Sequence, residues 1–285
     1  MFDLIIIGSG PAGISASLYA VTAKINVCVI SNGRGSLEKA DSIQNYYGFA
    51  SPVKASKLYD DSVANAERLG VSFINDEIVG ISYENGFALD GLKEKYSCNA
   101  LIIATGSARK TPKIEGLNDF IGHGVSFCAT CDAFFFRNKT VAVLGAGEFA
   151  CHEAEYLSHV CKSVSILTNG RDLNAALPEN VIKDSRKIAS VSGNTIIEKV
   201  IFEDGTEKEV SGLFIAEGVA GSDALARKLG ALTENGCIKT DGNMKTNIDG
   251  LFAAGDCTGG LLQICKAVSD GAIAATSAIK FLRRK

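Results

Sequence analysis

The sequence lacks a strong net charge, a long apolar run and a basic leader segment. Its 285 residues carry a formal net charge of −3, so no positive field indicates a nucleic-acid partner. No stretch approaches the roughly 18 apolar residues of a membrane-spanning helix, so we expect no membrane partner. The apolar residues Leu4 to Ile7 follow no basic segment and run directly into a glycine motif. They are therefore predicted to form a strand and not a signal peptide.

Nine cysteines occur without a predicted secretory signal, which is typical of a reducing, cytoplasmic setting. Two of them form the motif Cys128-Ala129-Thr130-Cys131, which Asp132 follows at once. Cysteines at this spacing can close and reopen a small disulfide, and a nearby helix N-terminus would favour the attacking thiolate. Asp132 is a candidate for moving the proton that this exchange needs. The other cysteines show no metal-type spacing, so we expect no metal site, and Phe134 to Phe136 are predicted to pack beneath the motif.

The N-terminal residues predict a dinucleotide site. A predicted strand, Asp3 to Ile7, leads into G-x-G-x-x-G and then into a helical pattern through Ala20. In this context the glycines form the turn, let a pyrophosphate approach the backbone and pack the helix on the strand. The next predicted strand, Ile25 to Ile30, ends in Ser31-Asn32 instead of the acidic residue that usually holds a ribose hydroxyl. The residues assigned to the pyrophosphate turn are Gly8, Gly10, Pro11, Ala12 and Gly13.

A second motif of the same type follows a strand predicted over Thr140 to Leu144. It reads Gly145-Ala146-Gly147-Glu148-Phe149-Ala150 and precedes a helical pattern that reaches about Val160. Two such units predict the α/β class, with two Rossmann-like three-layer domains. The other main predicted elements are helices over Leu58 to Leu69 and Gln263 to Phe281, strands over Val71 to Ile81, Phe87 to Leu89, Asn99 to Thr105, Ser163 to Leu167 and Gly212 to Ala216, and a hairpin at Glu203-Asp204-Gly205.

Five features in register resemble the low-molecular-weight thioredoxin reductases over nearly the whole chain. They are the first glycine motif, the loop containing Asn45, the strand end Ala104-Thr105-Gly106, the cysteine motif with Asp132, and Gly255-Asp256 followed by Gln263. The resemblance implies an FAD domain in two pieces, residues 1–110 and 239–285. It also implies an inserted, smaller, nucleotide-binding-like domain, residues 111–238, that carries the cysteine pair. Members of this family reduce thioredoxin and are usually homodimers, so both properties are expected here.

The same resemblance assigns further FAD contacts. The isoalloxazine would lie near Asn45 and Gln263, Asp256 would hydrogen-bond the ribityl chain, and Ile78 would lie near the adenine. Of the two redox cysteines, Cys131 would face the flavin. Beyond the pyrophosphate turn, the residues implied to bind FAD are Ser31, Asn32, Ser36, Leu37, Asn45, Ile78, Ala104, Thr105, Gly106, Gly255, Asp256, Gln263 and Ile264.

The inserted domain departs from the family where NADPH would bind. The usual His-Arg-Arg is replaced by Thr168-Asn169-Gly170-Arg171-Asp172, which leaves one arginine for the 2′-phosphate. A bidentate guanidinium clamp on a phosphate is not replaced by Thr and Asn without losing most of the charge pairing. Glu148 stands at the helix opening, where a carboxylate already satisfies the helix dipole and repels a phosphate. NADPH binding is therefore expected to be weak or lost, and the chain most resembles the ferredoxin-dependent members of the family.

Four functions remain open at the level of the sequence. The first is a flavoprotein disulfide reductase that reduces thioredoxin with electrons from ferredoxin. The second keeps NADPH as the donor, with Arg171 sufficient for the 2′-phosphate, and the third is an FAD-dependent dithiol oxidase that passes electrons to oxygen. The spacers Ala129-Thr130 and Asp132 match the reductase motif and favour reduction over oxidation. The fourth is a flavin-binding redox sensor, against which the intact pair of Cys128 and Cys131 argues.

Overall fold

The computed structural model describes residues 1–35, 37, 42–83, 85–106, 112–127, 129–217 and 222–284. The strands in chain order are β1 (Phe2–Ile7), β2 (Val27–Ser31), β3 (Ser42–Ile43), β4 (Val53–Lys54), β5 (Ser72–Asn75), β6 (Ile78–Tyr83), β7 (Phe87–Gly91), β8 (Lys95–Ile103), β9 (Val125–Ser126), β10 (Thr140–Leu144), β11 (Ser163–Leu167), β12 (Val181–Asp184), β13 (Ile188–Gly193), β14 (Ile197–Phe202), β15 (Glu207–Glu209), β16 (Gly212–Ile215), β17 (Thr233–Glu234), β18 (Cys237–Ile238) and β19 (Leu251–Ala253). The α-helices are α1 (Pro11–Thr22), α2 (Ala55–Arg68), α3 (Ala129–Asp132), α4 (Glu148–Ser158), α5 (Ser222–Lys228) and α6 (Ile264–Leu282). Short 3₁₀ helices span Leu117–Phe120, Ala133–Phe136 and Asp256–Thr258.

The chain divides into two compact units. The first unit contains Met1–Ala108 and Gly221–Lys285, and the second contains Arg109–Ala220. The predicted insertion, residues 111–238, begins close to the start of the second unit at Arg109. It ends later than that unit, which stops at Ala220. Residues 221–238 belong to the first unit because α5 packs on β6 and because β18 packs on α5 and on the turn after β19.

The first unit is built on a seven-stranded sheet. Four strands run parallel in the order β5-β2-β1-β8, and the other edge of β8 carries both the parallel strand β19 and the antiparallel hairpin β7-β6. Parallel pairing of β1 with β2 requires a crossover, which α1 provides. Because parallel strands share one carboxyl edge, the segments after β1, β2, β8 and β19 meet there. These segments contain most of the residues predicted to bind FAD.

The core of the first unit lies between this sheet and three helices. Leu4 and Ile6 of β1 and Ile102 of β8 are fully buried, and α1, α2 and α6 supply the facing apolar residues. Most of the helical contribution is alanine, which lets α1 and α6 approach closely. One such approach is at Gly271 of α6, where a Cβ atom would overlap the carbonyl oxygen of Ala12. This close packing fixes the N-terminus of α1 relative to α6.

The second unit has a five-stranded parallel sheet in the order β12-β11-β10-β16-β9, and a separate antiparallel sheet, β13-β14-β15. One cluster of its core contains Leu144, Leu167, Val200 and Leu213. Helix α4 follows β10 and packs on β10 and β11, as the second glycine motif predicts, and α3 packs on α4. The short helix with the second cysteine therefore rests on the helix that the glycine turn begins.

The α/β class with two Rossmann-like units is confirmed, and the strands predicted over Thr140 to Leu144 and Ser163 to Leu167 are observed at those residues. No element is predicted for β12, β13 or α5, and the predicted strand Val71 to Ile81 is two strands, β5 and β6. The prediction that Phe134 to Phe136 pack as core is wrong for two of the three residues. Phe136 is buried against Phe214, whereas Phe134 is 75% and Phe135 66% exposed. In the described part of the chain, no helix is long and apolar enough to cross a membrane.

Candidate functional site

The turn between β1 and α1 has the geometry of a pyrophosphate site. A Cβ atom at Gly8 or Gly13 would overlap a carbonyl oxygen, that of Ala104 and that of Gly8 respectively, so both positions require glycine. Gly10 differs, because a Cβ atom there would meet nothing within 4 Å. The open side of Gly10 is the side from which a phosphate approaches the backbone.

The N-terminus of α1 is free to face an anion. Gly10 is the N-cap, Pro11 occupies the first turn, and no described side chain caps the helix. The first turn contains no acidic residue. Among the described residues, no side chain caps these N–H groups and no carboxylate lies in the first turn, which is the arrangement that binds phosphate.

Ser31 ends β2, at the position where an acidic residue usually holds the ribose, and its hydroxyl is part of a hydrogen-bonded group. The Ser31 hydroxyl donates to Ser9 Oγ at 2.8 Å, and Ser9 Oγ lies 2.8 Å from the Tyr59 hydroxyl. Asn32 Nδ2 donates to Glu77 Oε2 at 3.2 Å, next to Ile78, which is buried at the start of β6. The predicted adenosine residues Ser31, Asn32 and Ile78 therefore lie along one connected stretch of the sheet edge. The predicted contact at Ser36 lies outside the described residues.

Residues far apart in sequence meet at the predicted isoalloxazine position. Asn45 Nδ2 donates to Gln263 Oε1 at 2.9 Å, across 218 positions of the chain. Leu37 and Ile264 pack in the same small apolar cluster as Ile43. The structure thus joins the loop before α2 to the start of α6, as the resemblance implies for a flavin site.

The strand end Ala104-Thr105-Gly106 contains an unpaired polar atom. Thr105 Oγ1 is buried and has no hydrogen-bond partner among the residues that the structure describes. A buried hydroxyl without a partner is costly, so such atoms in native proteins commonly face a ligand or water. Thr105 follows β8, directly beside the β1 turn, where the bound dinucleotide is expected.

The Gly255-Asp256 turn is held by an ion pair on α6. Lys266 Nζ donates to the carbonyl oxygens of Gly255 and Gly259 at 2.8 and 2.7 Å, and it pairs with Asp270 Oδ2 at 2.7 Å. Asp270 in turn accepts the Gly255 N–H at 3.1 Å. Burial raises the pKa of the Asp256 carboxyl, Lys266 opposes that shift and Asp270 adds to it. This turn presents the Asp256 carboxyl, whose oxygens can accept hydrogen bonds from the hydroxyl groups of a ribityl chain.

Together these residues fit FAD. The β1 turn offers an uncapped helix N-terminus for the pyrophosphate. Thr105 offers an unsatisfied hydroxyl, and the Asn45–Gln263 pair offers amide groups at the flavin end. When bound, FAD would supply a ring that accepts electrons singly and releases them in pairs.

The redox motif lies in the second unit. Cys128 is outside the described residues, and of Cys131 only the backbone is placed, in α3 between Ala129 and Asp132. The Ser126 hydroxyl donates to Asp132 Oδ2 at 2.6 Å, which fixes the carboxylate one residue after Cys131. The exposed rings of Phe134 and Phe135 follow directly.

The second glycine turn differs from the first in having an acidic residue at the opening of its helix. Gly145 and Ala146 are buried, and the N–H of Asn174 donates to the Ala146 carbonyl oxygen at 3.0 Å. Glu148 is the first residue of α4 and is exposed there. In contrast to α1, the dipole of α4 therefore already has a carboxylate in its first turn.

The segment after β11 uses its polar groups internally. The Thr168 hydroxyl donates to the Arg171 carbonyl oxygen at 2.7 Å, and Asn169 Oδ1 accepts the Ile188 N–H at 2.7 Å. The Arg171 guanidinium donates from Nε to the Thr168 carbonyl oxygen at 3.0 Å and pairs through both terminal nitrogens with Glu217. The one arginine that remained for a 2′-phosphate is thus held by a carboxylate.

Comparison with known proteins agrees with this geometry. Residues 2–271 match the pyridine nucleotide-disulphide oxidoreductase family. A thioredoxin reductase of Peptoclostridium litorale is 33% identical over 306 residues, which cover 99% of this chain and 97% of that protein. The chain belongs to the thioredoxin reductase family of pyridine nucleotide-disulphide oxidoreductases. It is therefore an oxidoreductase of a flavoprotein family, as the sequence motifs predict.

Three crystal structures extend the likeness within this thioredoxin reductase family. An atypical thioredoxin reductase, TRi from Desulfovibrio vulgaris Hildenborough, is 38% identical with a TM-score of 0.93, covering 100% of this chain and 99% of that one. A ferredoxin-flavin thioredoxin reductase from Clostridium acetobutylicum is 31% identical with a TM-score of 0.75, again covering 100% and 99%. A thioredoxin reductase of Lactococcus lactis is also 31% identical, with a TM-score of 0.60.

Several residues of the site have no signal in the motifs. Ser9 and Tyr59 support Ser31, Glu217 holds Arg171, and Lys266 with Asp270 holds the Gly255 turn. Only the last pair has a visible sequence signature, because a lysine and an aspartate four positions apart on a helix face each other. The others depend on contacts between distant parts of the chain.

Proposed function

We propose that this thioredoxin reductase family member is an FAD-dependent disulfide reductase that reduces thioredoxin through Cys128 and Cys131 with electrons from reduced ferredoxin. The homodimer expected from the resemblance stays a prediction. Support for thioredoxin as substrate comes from relatives that are named thioredoxin reductases and that are similar to this chain over nearly its full length. Support for ferredoxin comes from the second unit.

One observation carries the choice of donor. The only arginine of the 2′-phosphate segment is paired with Glu217, and its neighbours Thr168 and Asn169 are bonded within the chain. To bind NADPH, Arg171 would have to leave Glu217, and that carboxylate would then lie beside the incoming phosphate. The cost of the lost pair and of the new repulsion opposes binding.

The second glycine turn adds an independent argument. A phosphate at α4 would have to approach the carboxylate of Glu148 in the first turn. At α1 the first turn contains no acidic residue. This difference in charge favours a dinucleotide at α1 over one at α4. The similar ferredoxin-flavin thioredoxin reductase of Clostridium acetobutylicum is a protein whose name states the donor proposed here.

The energetics permit this electron flow. Low-potential ferredoxins lie near about −400 mV and thioredoxin near about −270 mV. Two electrons falling by roughly 130 mV release about 6 kcal/mol, since 30 mV corresponds to about 1.4 kcal/mol for a two-electron couple. Transfer to thioredoxin is therefore favourable without a nicotinamide.

The residues around the cysteine pair have distinct roles in this proposal. Asp132, held by Ser126, exchanges the proton that accompanies thiol–disulfide exchange. One cysteine thiolate attacks a sulfur of the thioredoxin disulfide, the other thioredoxin sulfur leaves as a thiol, and the second cysteine resolves the mixed disulfide. The exposed Phe134 and Phe135 offer apolar surface of the kind that protein partners cover.

The test is anaerobic reduction of the flavin in the purified holoprotein. The oxidised protein is mixed in separate experiments with NADPH, NADH and reduced ferredoxin, and bleaching of the visible flavin band is followed. We expect prompt bleaching by ferredoxin alone, followed by loss of the thioredoxin disulfide. Rapid bleaching by either nucleotide would contradict the proposed donor. Reduction of the flavin only by added dithiols, followed by its reoxidation when oxygen is admitted, would identify a dithiol oxidase instead.

A further inference from the structure

A buried carboxyl group lies against the backbone of the redox motif. Three acidic side chains are buried in the described part of the chain, Asp76, Glu153 and Asp270. Asp76 and Asp270 hold turns of the first unit through backbone N–H groups and side chains. Glu153 is on α4 in the second unit and is 2% exposed. Its contact is with the cysteine motif itself.

Glu153 accepts a hydrogen bond from the first residue of the motif helix. Its Oε2 atom lies 2.8 Å from the backbone nitrogen of Ala129, which begins α3 and stands between the two cysteines in sequence. Ala129 is fully buried, so this bond is shielded from water. His152 is next to Glu153 on α4, and Asp132 is the last residue of α3. His152 Nδ1 is 3.7 Å from Glu153 Oε1, and Asp132 is bonded to Ser126.

A carboxylate in this place acts on the thiolate state of the pair. Hydrogen-bond donors beside a cysteine stabilise its thiolate and lower the pKa of that cysteine. Glu153 takes one of these donors and adds a negative charge in a buried position, where charges interact strongly. Both effects raise the free energy of the thiolate more than that of the uncharged disulfide. A couple whose reduced form is less stable is a stronger reductant.

We propose that Glu153 is a positioning residue that lowers the reduction potential of the Cys128–Cys131 couple. The inference rests on the proposed disulfide reductase function, and it names what makes the pair reducing enough to pass two electrons and two protons to a thioredoxin disulfide. The hydrogen bond of Glu153 is to the backbone of the motif helix. Glu153 acts through the backbone of α3 and through its charge.

Two substitutions separate the charge from the hydrogen bond. E153Q keeps an oxygen that accepts the Ala129 N–H but removes the charge, whereas E153D keeps the charge and shortens the reach. E155Q is the matched control, because Glu155 lies two positions away on α4 and is exposed. Each full-length holoprotein is equilibrated with redox buffers of defined dithiol and disulfide composition, and the fraction of reduced Cys128 and Cys131 is measured by thiol labelling and mass spectrometry.

We expect E153Q to shift the equilibrium about tenfold toward the dithiol, which raises the potential by about 30 mV. The reduced motif should also react faster with iodoacetamide at neutral pH, since its thiolate fraction rises. E155Q should remain near the wild-type potential, and E153D, which keeps the charge but weakens the hydrogen bond to the Ala129 N–H, should shift the potential less than E153Q does. A wild-type potential in E153Q would overturn the proposal, and so would a larger shift in E153D than in E153Q, which is the result expected of a purely structural hydrogen bond.

A third variant covers the case in which E153Q does not fold. His152 is 35% exposed and faces the Glu153 carboxylate, so H152Q should be tolerated and should leave that carboxylate unopposed. Because H152Q removes the imidazole whose Nδ1 lies 3.7 Å from Glu153 Oε1, it is expected to lower the potential, and an unchanged potential would contradict the proposal. If the proposed reductase function is wrong, the result differs. The wild type then shows no two-electron thiol–disulfide equilibrium in the redox buffers, and C131S behaves like the wild type.

Discussion

Replacing Lys266 by methionine tests how the turn that carries Asp256 is held in place. In the wild type the Lys266 ammonium joins the carbonyl oxygens of Gly255 and Gly259 to the carboxylate of Asp270. Methionine keeps an unbranched apolar side chain but supplies neither charge nor donors. The K266M variant therefore leaves Asp270 as a buried carboxylate without its cation, and it removes the charge that opposes the rise in the pKa of Asp256.

The size of the effect follows from the burial of the pair. The side chains of Lys266 and Asp270 are 20% and 8% exposed. Removing one partner of a buried ion pair costs about 3–5 kcal/mol, and the partial exposure of Lys266 places this case near the lower end, at about 3 kcal/mol. For a unit of this size, 1 kcal/mol shifts Tm by about 2–4 °C, so K266M should lower Tm by roughly 10 °C. FAD affinity should fall as well, because the turn that presents Asp256 is no longer fixed.

The assay is thermal unfolding of each variant with and without added FAD, together with the flavin content after dialysis. K280M is the matched control, because Lys280 is an exposed lysine on the same helix. The double variant K266M/D270N should recover part of the lost stability, with a coupling energy of about 1 kcal/mol or more, since it leaves no unpaired charge. A K266M protein that unfolds at the same temperature as K280M and retains its FAD would refute this reasoning.

Three further outcomes are expected. Arg186 is the main cause of the lowered pKa of Asp184, and the stabilisation is present above the ordinary pKa of aspartate and lost as the pH falls below it. D184N should therefore lower Tm at pH 7, the difference should narrow as the pH falls below about 4, and a difference that stays constant in acid would contradict this assignment. Burial raises the pKa of Cys257 to about 12, so iodoacetamide at pH 8 should label the exposed Cys265 and spare Cys257 in the native protein, as mass spectrometry of tryptic peptides would show. R171A should leave the ferredoxin-dependent rate of thioredoxin reduction unchanged, whereas a loss of that rate would show that this arginine takes part in electron entry.

The parts of the fold that the sequence predicts are those fixed by local geometry. The β1 turn is recognisable because its backbone contacts admit only glycine at Gly8 and Gly13, and the apolar runs on either side are buried in a parallel sheet. The departure after β11 is equally visible, since a missing arginine is read directly from the chain. Strands β12 and β13 have mixed burial patterns with few fully buried residues, so their sequence carries a weaker signal.

The parts that the sequence does not predict depend on distant contacts. Three consecutive phenylalanines give no indication of which ring faces Phe214 and which face solvent. Likewise, no local pattern shows that Glu217 holds Arg171 or that Glu153 reaches the Ala129 N–H. The Glu217 contact strengthens the proposal for the electron donor, which the missing arginines already indicate. The proposal for Glu153 depends on the tertiary contact alone.

The most direct test of the central claim is anaerobic turnover with thioredoxin as the acceptor. Oxidised thioredoxin is incubated with the holoprotein and either reduced ferredoxin or NADPH, and the appearance of thioredoxin thiols is measured, with C128S and C131S as controls. We expect sustained formation of thioredoxin thiols with reduced ferredoxin. With NADPH we expect none above background, and with either cysteine variant we expect none. Thiol formation driven by NADPH at a rate equal to or above that with ferredoxin would contradict the central claim.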